Sequence, residues 1–260
     1  VRIVPPGHGE PRRPFGPRDP GDAWVIADSG QKYWGRFGAA GLLALDHERG
    51  VLLQHRVGWS HYGGTWGIPG GARHQGESAF AGALRESAEE AGVPRDSVTP
   101  RLMSVLDRQV WTYSTLVVDV IRPFDPVISD RESLGLAWVP LDEVDSYELH
   151  PGFAGSWPRL RALLDVRPVL MVDVSSVTDE DLIDAVEHRG VPAGELGLSE
   201  DRWFPRIVRV SDPHQTLARG LVEAAENPYL TVVGDDEAAG AELVEAGARV
   251  NPSGWFGSWL

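Results

Sequence analysis

Between Gly70 and Val93 the sequence asks one short helix to carry three carboxylates on one face, and few folds can use such an arrangement. Ser78 is suited to cap a helix over residues 78–91, which Gly92 ends with Pro94 just beyond. Glu86, Glu89 and Glu90 then stand at i, i+3 and i+4 and share a face, with Arg85 on the flank, four residues before Glu89. Like charges this close repel, and a helix gains nothing structural from them. One reading is a solvated acidic face, common in an acidic chain. The other places divalent cations among the carboxylates, whose oxygens suit Mg²⁺ or Mn²⁺. The opposite face, Phe80, Ala83, Leu84, Ser87 and Ala91, is apolar or small. It predicts a helix that approaches a sheet closely, with Phe80 and Leu84 in the core.

Strand patterns flank this helix at residues 39–45, 51–54, 102–107, 112–120 and 136–140, with helical turns at 141–144 and 157–164. Two shorter strands are expected at 23–26 and 31–37. Residues 1–21, with six prolines and four glycines, read as a disordered or loosely docked arm. Three segments result: an arm with short strands at 1–37, a mixed α/β domain at 38–165, and a small α/β domain at 166–260. In the last, strands at 169–174, 207–210 and 230–233 alternate with helices at 179–188, 216–225 and 237–246, the pattern of a parallel sheet. Thr178 is its expected first N-cap and Gly247 its last C-cap.

The chain of 260 residues carries a net charge of −14, and the 166–260 segment alone, with 7 basic and 17 acidic residues, holds −10 of it. That balance argues against nucleic acid as a partner, since phosphate backbones need a basic surface. With no cysteine there is no disulfide framework, thiolate metal site or cysteine nucleophile. No apolar run approaches the ~18 residues that span a membrane, and the first 20 residues lack a signal-peptide core. The expectation is a soluble cytoplasmic protein.

Gly71, Glu77, Arg85, Glu86, Glu89, Glu90, Gly92 and Val93 together resemble the Nudix box, G-x5-E-x7-R-E-U-x-E-E-x-G-U, where U is a bulky aliphatic residue. Chance agreement at seven single-residue positions is on the order of one in a hundred thousand for a chain of this length. Trp66–Gly71 before the box and Ala137–Leu141 after it also look like this family, and the resemblance covers residues 38–165. Ser87 departs from the pattern at the first U; a bond from its hydroxyl to the Ala83 carbonyl would let it be buried. The resemblance implies an α/β/α sandwich with a mixed sheet, and an enzyme that hydrolyses P–O–P bonds in nucleoside diphosphate-linked substrates with Mg²⁺ or Mn²⁺. It implies that Glu86, Glu89 and Glu90 bind metal with the Gly71 carbonyl, that Glu86 serves as base, and that Glu77 and Arg85 pair to hold the loop on the helix. A further carboxylate from the second half of the domain is expected; Glu132 is the choice, with Asp130 and Glu143 as rivals.

Candidate substrate contacts are Trp59, His61, Tyr62 and Trp66 in the Gly-rich loop, which can stack on a base or pack on their own domain. Arg56 and Arg73 can pair with phosphate oxygens, and His74 is expected to be exposed. ADP-ribose hydrolases of the family often carry a proline about fifteen residues after the box glycine. Asp107 and Arg108 stand there, which favours nucleoside triphosphates, oxidised ones included, over ADP-ribose and nucleotide sugars. A non-catalytic nucleotide sensor is the competing class.

The C-terminal segment is similar to the PIN-like (NYN) ribonuclease fold, with Asp173 and Asp235 in two of its acid positions but Asp212–Gln215 where paired acids belong. It reads as a degenerate domain serving packing, dimerisation or gating. Trp255, Phe256 and Trp259 are expected to dock on their own protein or on a second subunit, making a homodimer.

Overall fold

The computed structural model describes residues 1–7, 19–129 and 131–260. The chain forms two units, Val1–Leu163 and Leu164–Leu260. The first is organised around β4 (Ala39–Asp46), in which all eight residues are buried. That is why its sequence is a continuous apolar run rather than an alternation. β4 pairs antiparallel with β5 (Gly50–Arg56) and parallel with β9 (Thr112–Val120). β8 (Val98–Asp107) extends the sheet beyond β9 and β10 (Ser133–Val139) beyond β5, giving a mixed sheet in the order β10-β5-β4-β9-β8. Two short strands, β6 (Trp66–Gly67) on β5 and β7 (Gly70–Ala72) on β4, complete it. Helix α1 (Ala79–Ala91) lies over β4, β7 and β9. Helix α2 (Pro151–Leu163) buries Phe153, Trp157 and Leu160, and its Arg159 donates to Ser104 on β8 at 3.0 Å.

Several expectations are corrected. Arg2–Val4, inside the segment read as an arm, is strand β1 and pairs with β2 (Trp24–Ile26), which pairs in turn with β3 (Lys32–Trp34). The Pro/Gly-rich composition hid a three-residue strand whose partner is twenty residues away. Residues 8–18 of that arm fall outside the described residues. Helix α2 starts six residues before 157: Pro158 reads as a first-turn proline but lies inside the helix. On α1, Phe80 and Leu84 are only half-buried, and Phe80 lies beside the Arg95 guanidinium. The face against the sheet is Ala83, Ser87 and Ala91, flanked by buried Glu86 and Glu90. The Ser87 hydroxyl donates to Leu84 rather than Ala83, at 3.0 Å, because both carbonyls of the preceding turn are within its reach.

In the second unit β11 (Val169–Asp173), β14 (Arg206–Val210), β15 (Leu230–Val233) and β16 (Arg249–Asn251) form a parallel sheet in the order β14-β11-β15-β16. Helices α3 (Glu180–Arg189), α4 (Pro213–Glu226) and α5 (Glu237–Glu245) link these strands, and a short hairpin of β12 (Val191–Pro192) and β13 (Arg202–Trp203) follows α3. Asp179 rather than Thr178 caps α3, accepting from the Asp181 amide. At the end of α5 the cap is Ala246, with Gly247 following in a left-handed conformation. The aromatic tail docks on its own unit: Trp255 and Phe256 are buried, and the Trp255 indole donates to Glu195 at 2.8 Å. Asp212 and Asp236 cap α4 and α5. Asp173 accepts from Ser175 and Ser176, and Asp235 from the Ser253 amide.

The β4–β5 turn makes a sharp demand on sequence. Asp46 accepts the Glu48 and Arg49 amides and the Arg49 side chain, and the chain re-enters the sheet through Gly50 at φ +92°. A Cβ there would collide with the Val139 carbonyl. Gly50→Ala is expected to lower stability by about 2 kcal/mol or more, whereas Gly155→Ala, in open space on α2, should be neutral or stabilising by up to ~1 kcal/mol. Thermal denaturation of both variants checks the contrast.

Candidate active site

Helix α1 is placed by its ends. The Ser78 hydroxyl accepts the Ala81 amide, and Gly92 at φ +64° closes the helix by donating to Ala88. Between them Arg85 acts as the junction of loop, strand and helix. Its Nε and Nη2 donate to the two oxygens of Glu77 at 2.8 and 2.9 Å, a bidentate pair. Nη2 also donates to the Ala72 carbonyl on β7 at 3.0 Å, and Nη1 to Glu86 at 2.6 Å and Glu89 at 3.2 Å. Glu77 in addition accepts the His74 amide at 2.9 Å, and its own carbonyl takes the Arg73 guanidinium. Arg73 thus shapes the loop, and His74 is partly buried rather than fully exposed.

The three acids do not form a solvated face. Glu86 and Glu90 are 6% and 4% exposed; only Glu89 is open to solvent. Glu90 accepts the Gly70 amide at 2.7 Å. The Glu86 carboxylate lies so close to β7 that a Cβ on Gly71 would stand 2.8–2.9 Å from its three carboxylate atoms. Gly71 therefore brings its backbone against the acid, as no other residue could. Tyr113 on β9 reaches the same spot: a Cβ on Gly41 would collide with its hydroxyl, and one on Gly70 would stand 2.8 Å from it. Burial, with Glu90 and Glu86 nearby, pushes the Tyr113 phenol up and keeps it protonated. Sequence reasoning missed Tyr113; Gly41, the β4 glycine that its hydroxyl reaches, was the available signal.

These donors fit a hard divalent cation in chemistry: carboxylate and carbonyl oxygens, no sulfur, with Glu86 packed on the Gly71 backbone. Among the described residues the side chains do not already converge as a three-membered metal-ligand group, Glu86 and Glu89 being drawn toward Arg85 and Glu90 toward the Gly70 amide.

The acids open into a cavity of about 770 Å³, within the range of small-molecule sites. Arg56, His61, Tyr62, Gly71, Glu86, Glu89, Glu90 and Glu132 all line it. Glu132 sits just ahead of Ser133, whose hydroxyl lies 3.5 Å from the Glu90 carbonyl, so the start of β10 abuts the acidic helix. Glu143 lies on an exposed turn away from the cavity, and Asp130 is outside the described residues. Glu77 and Arg85 stand behind the cavity wall and do not line it. Trp59 and Trp66 are not brought to the cavity. Trp59 is exposed, and Trp66 stacks on His55 at 4.7 Å and meets Tyr147 edge-on. Trp24, Trp34, Trp111 and His150 line it instead. The Arg56 Nε is buried and, among the described residues, has no hydrogen-bond partner. Burial, then Arg56 and His61, brings His150 down to about 4, so that ring is neutral at physiological pH.

Burial alone would raise the Glu77 carboxyl, but the Arg85 and His74 hydrogen bonds outweigh it and bring its pKa from 4.5 to about 2. A depressed carboxyl pKa contributes stability above the unfolded value and loses it as pH falls through the folded value. Glu77→Gln is therefore expected to cost about 2 kcal/mol at neutral pH, after allowing for solvent screening, with the gap from wild type closing between roughly pH 4.5 and 2. Denaturant titrations of both proteins across that range check it.

The NUDIX domain profile matches residues 35–163. Over 166 residues the chain is 48% identical to a Mycobacterium tuberculosis protein named "Putative 8-oxo-dGTP diphosphatase 3", covering 60% of this chain and 76% of that protein. Over 160 residues it is 41% identical to a "Nucleoside triphosphate pyrophosphatase/Nudix hydrolase fusion protein" of Bifidobacterium longum, covering 56% of this chain and 32% of that one. The crystal structure of a Nudix hydrolase from M. smegmatis, RenU, matches with a TM-score of 0.50 and 44% identity, over 55% of this chain and 94% of that structure. With the box residues gathered on one helix and loop, and with relatives at this level of identity, the chain belongs to the Nudix hydrolase family.

Proposed function

We propose that this chain hydrolyses nucleoside triphosphates, with oxidised purine nucleotides such as 8-oxo-dGTP as the favoured substrates, releasing pyrophosphate and the nucleoside monophosphate. The carrying observation is the presence, in one cavity, of the acids of α1 and of Arg56, whose buried Nε has no hydrogen-bond partner among the described residues. A buried N–H left without an acceptor is costly, and a phosphate oxygen satisfies it. The diphosphatase name of the Mycobacterium tuberculosis relative supports the choice of substrate.

Glu86, Glu89, Glu90 and the Gly71 carbonyl would hold Mg²⁺ or Mn²⁺, with Glu132 as the further carboxylate. When bound, such cations neutralise the phosphates and acidify the attacking water. Glu86 accepts the proton of that water as its oxygen adds to phosphorus. The bridging P–O bond breaks and pyrophosphate leaves. Arg85 fixes Glu86 and Glu89 in place from behind, so the base does not swing away between turnovers. Arg56 draws charge off the phosphate oxygens. The protonated Tyr113 adds no negative charge next to Glu86 and Glu90.

Phosphate release, coupled to a pyrophosphatase, from a panel of triphosphates, oxidised triphosphates, dinucleoside polyphosphates and nucleotide sugars tests the reading. Wild type is expected to act on the triphosphates, 8-oxo-dGTP foremost. Glu89→Gln should lower kcat by roughly a hundredfold or more. Arg56→Ala should raise KM by about tenfold or more, the loss of a charged hydrogen bond. Tight nucleotide binding without turnover of any panel member would overturn hydrolysis in favour of a sensor.

A further inference from the structure

The cavity has a second wall that the acids and Arg56 do not account for. Trp24 and Trp34 are direct partners across β2 and β3 and meet edge to face, their centroids 5.0 Å apart. Trp24 meets His61 at 5.3 Å, His61 meets Tyr62 at 4.3 Å, and Tyr62 meets His150 at 5.0 Å. All five rings line the cavity and form one continuous arc along it. Each meets its neighbour edge to face, at interplanar angles from 61° to 84°, and all five present surface to the cavity. His61 and Tyr62 are exposed, and Tyr62 is held at φ +54°, an uncommon conformation for an aromatic residue.

The arc is fixed to the rest of the unit by Tyr33 and Trp111, which line the same cavity. Tyr33 stacks on Trp111 at 4.9 Å and 14°, and the Trp111 indole donates to the Trp34 carbonyl at 3.0 Å. The Gln75 amide, in the loop before α1, donates to Asp19 at 3.1 Å. The three-stranded sheet is therefore pinned to the β8–β9 turn, and the segment leading into β2 to the loop that carries Glu77.

Partial desolvation, together with Arg56, holds the His61 and His150 rings toward the neutral form, so the arc offers uncharged aromatic surface. The same cavity is lined by Arg56 and by the acids of α1. A ligand that matches both kinds of lining has a polyanionic part and a flat, uncharged heteroaromatic part.

We propose that the arc is the base-recognition wall of the enzyme, with Trp24 and Trp34 holding the nucleobase. Both residues precede the 35–163 stretch that matches the Nudix domain, so the N-terminal sheet sets base specificity from outside the common fold. A purine covers more of the arc than a pyrimidine and is preferred. The assignment rests on the nucleotide reading of the site, and the test separates the two.

Calorimetric titration of the full chain with 8-oxo-dGMP and, separately, with inorganic pyrophosphate, both with Mg²⁺, distinguishes the two kinds of lining. Trp24→Ala and Trp34→Ala should each raise the Kd for 8-oxo-dGMP about tenfold, the typical loss of one base–aromatic stack, and leave the pyrophosphate Kd within about twofold. Trp24→Phe should recover most of the affinity. In turnover assays the loss should fall on KM rather than kcat. Unchanged 8-oxo-dGMP affinity in both alanine variants, or a parallel loss of pyrophosphate affinity, overturns the wall even if wild type cleaves triphosphates. Base binding that fails in the variants while wild type cleaves no triphosphate supports the wall and sinks only the hydrolysis.

Discussion

The site depends on one guanidinium. Arg85 touches the 73–77 loop, strand β7 and two of the three acids at once. Its planar fork matches the Glu77 carboxylate with two hydrogen bonds and still has donors for Ala72, Glu86 and Glu89. A lysine could supply the charge but not this geometry. Three carboxylates crowded on one helix face would otherwise repel. A buried cation beside them offsets part of that cost and sets where each oxygen points.

The same crowding explains the glycines. Glu86 packs against β7 only because Gly71 carries no side chain, and Tyr113 reaches the spot only because Gly41 and Gly70 carry none. Ala83, Ser87 and Ala91 let the helix axis approach the sheet. Backbone groups then do what side chains cannot. The Gly70 amide orients Glu90, and the Gly71 backbone lies against the Glu86 carboxylate. The small residues around the box are thus the condition for its chemistry.

What the sequence disclosed followed from how local each signal was. The helix, its Ser78 cap, its Gly92 terminus and the pairing of Glu77 with Arg85 depend on spacings of a few residues, and all were legible. The central strand β4 was legible because a strand buried on both faces is apolar throughout. Of the cavity's aromatic wall, His61 and Tyr62 were legible and the two tryptophans were not. Trp24 and Trp34 are far from the box in sequence, and nothing local distinguishes them from Trp59 or Trp66, which the fold directs elsewhere. Their role depends on β2 pairing with β3 and on Trp111 holding that sheet in place, both of which are tertiary facts. Helix α1 shows the same limit. Periodicity assigned Phe80 and Leu84 to the core, but close approach to the sheet favours the small residues and leaves the large ones at the rim.

The second unit shows why acids at strand ends are weak evidence of chemistry. An open parallel sheet delivers the carboxyl ends of its strands to one edge, where ligands commonly bind. Asp173, Asp212, Asp235 and Asp236 stand at or just beyond such ends. Yet each carboxylate accepts hydrogen bonds that its own loop needs: Asp173 from the two serines that turn the chain after β11, Asp212 and Asp236 from the first turns of α4 and α5, and Asp235 from Ser253. A metal there would have to displace these donors one by one and unmake the turns. Around α1 the acids are held too, Glu86 by Arg85 and Glu90 by the Gly70 amide, but there Gly71 stands against the Glu86 carboxylate and the acids face a space large enough for a substrate. What sets the α1 acids apart from those of the second unit is a backbone made small to let them approach and a cavity in front of them.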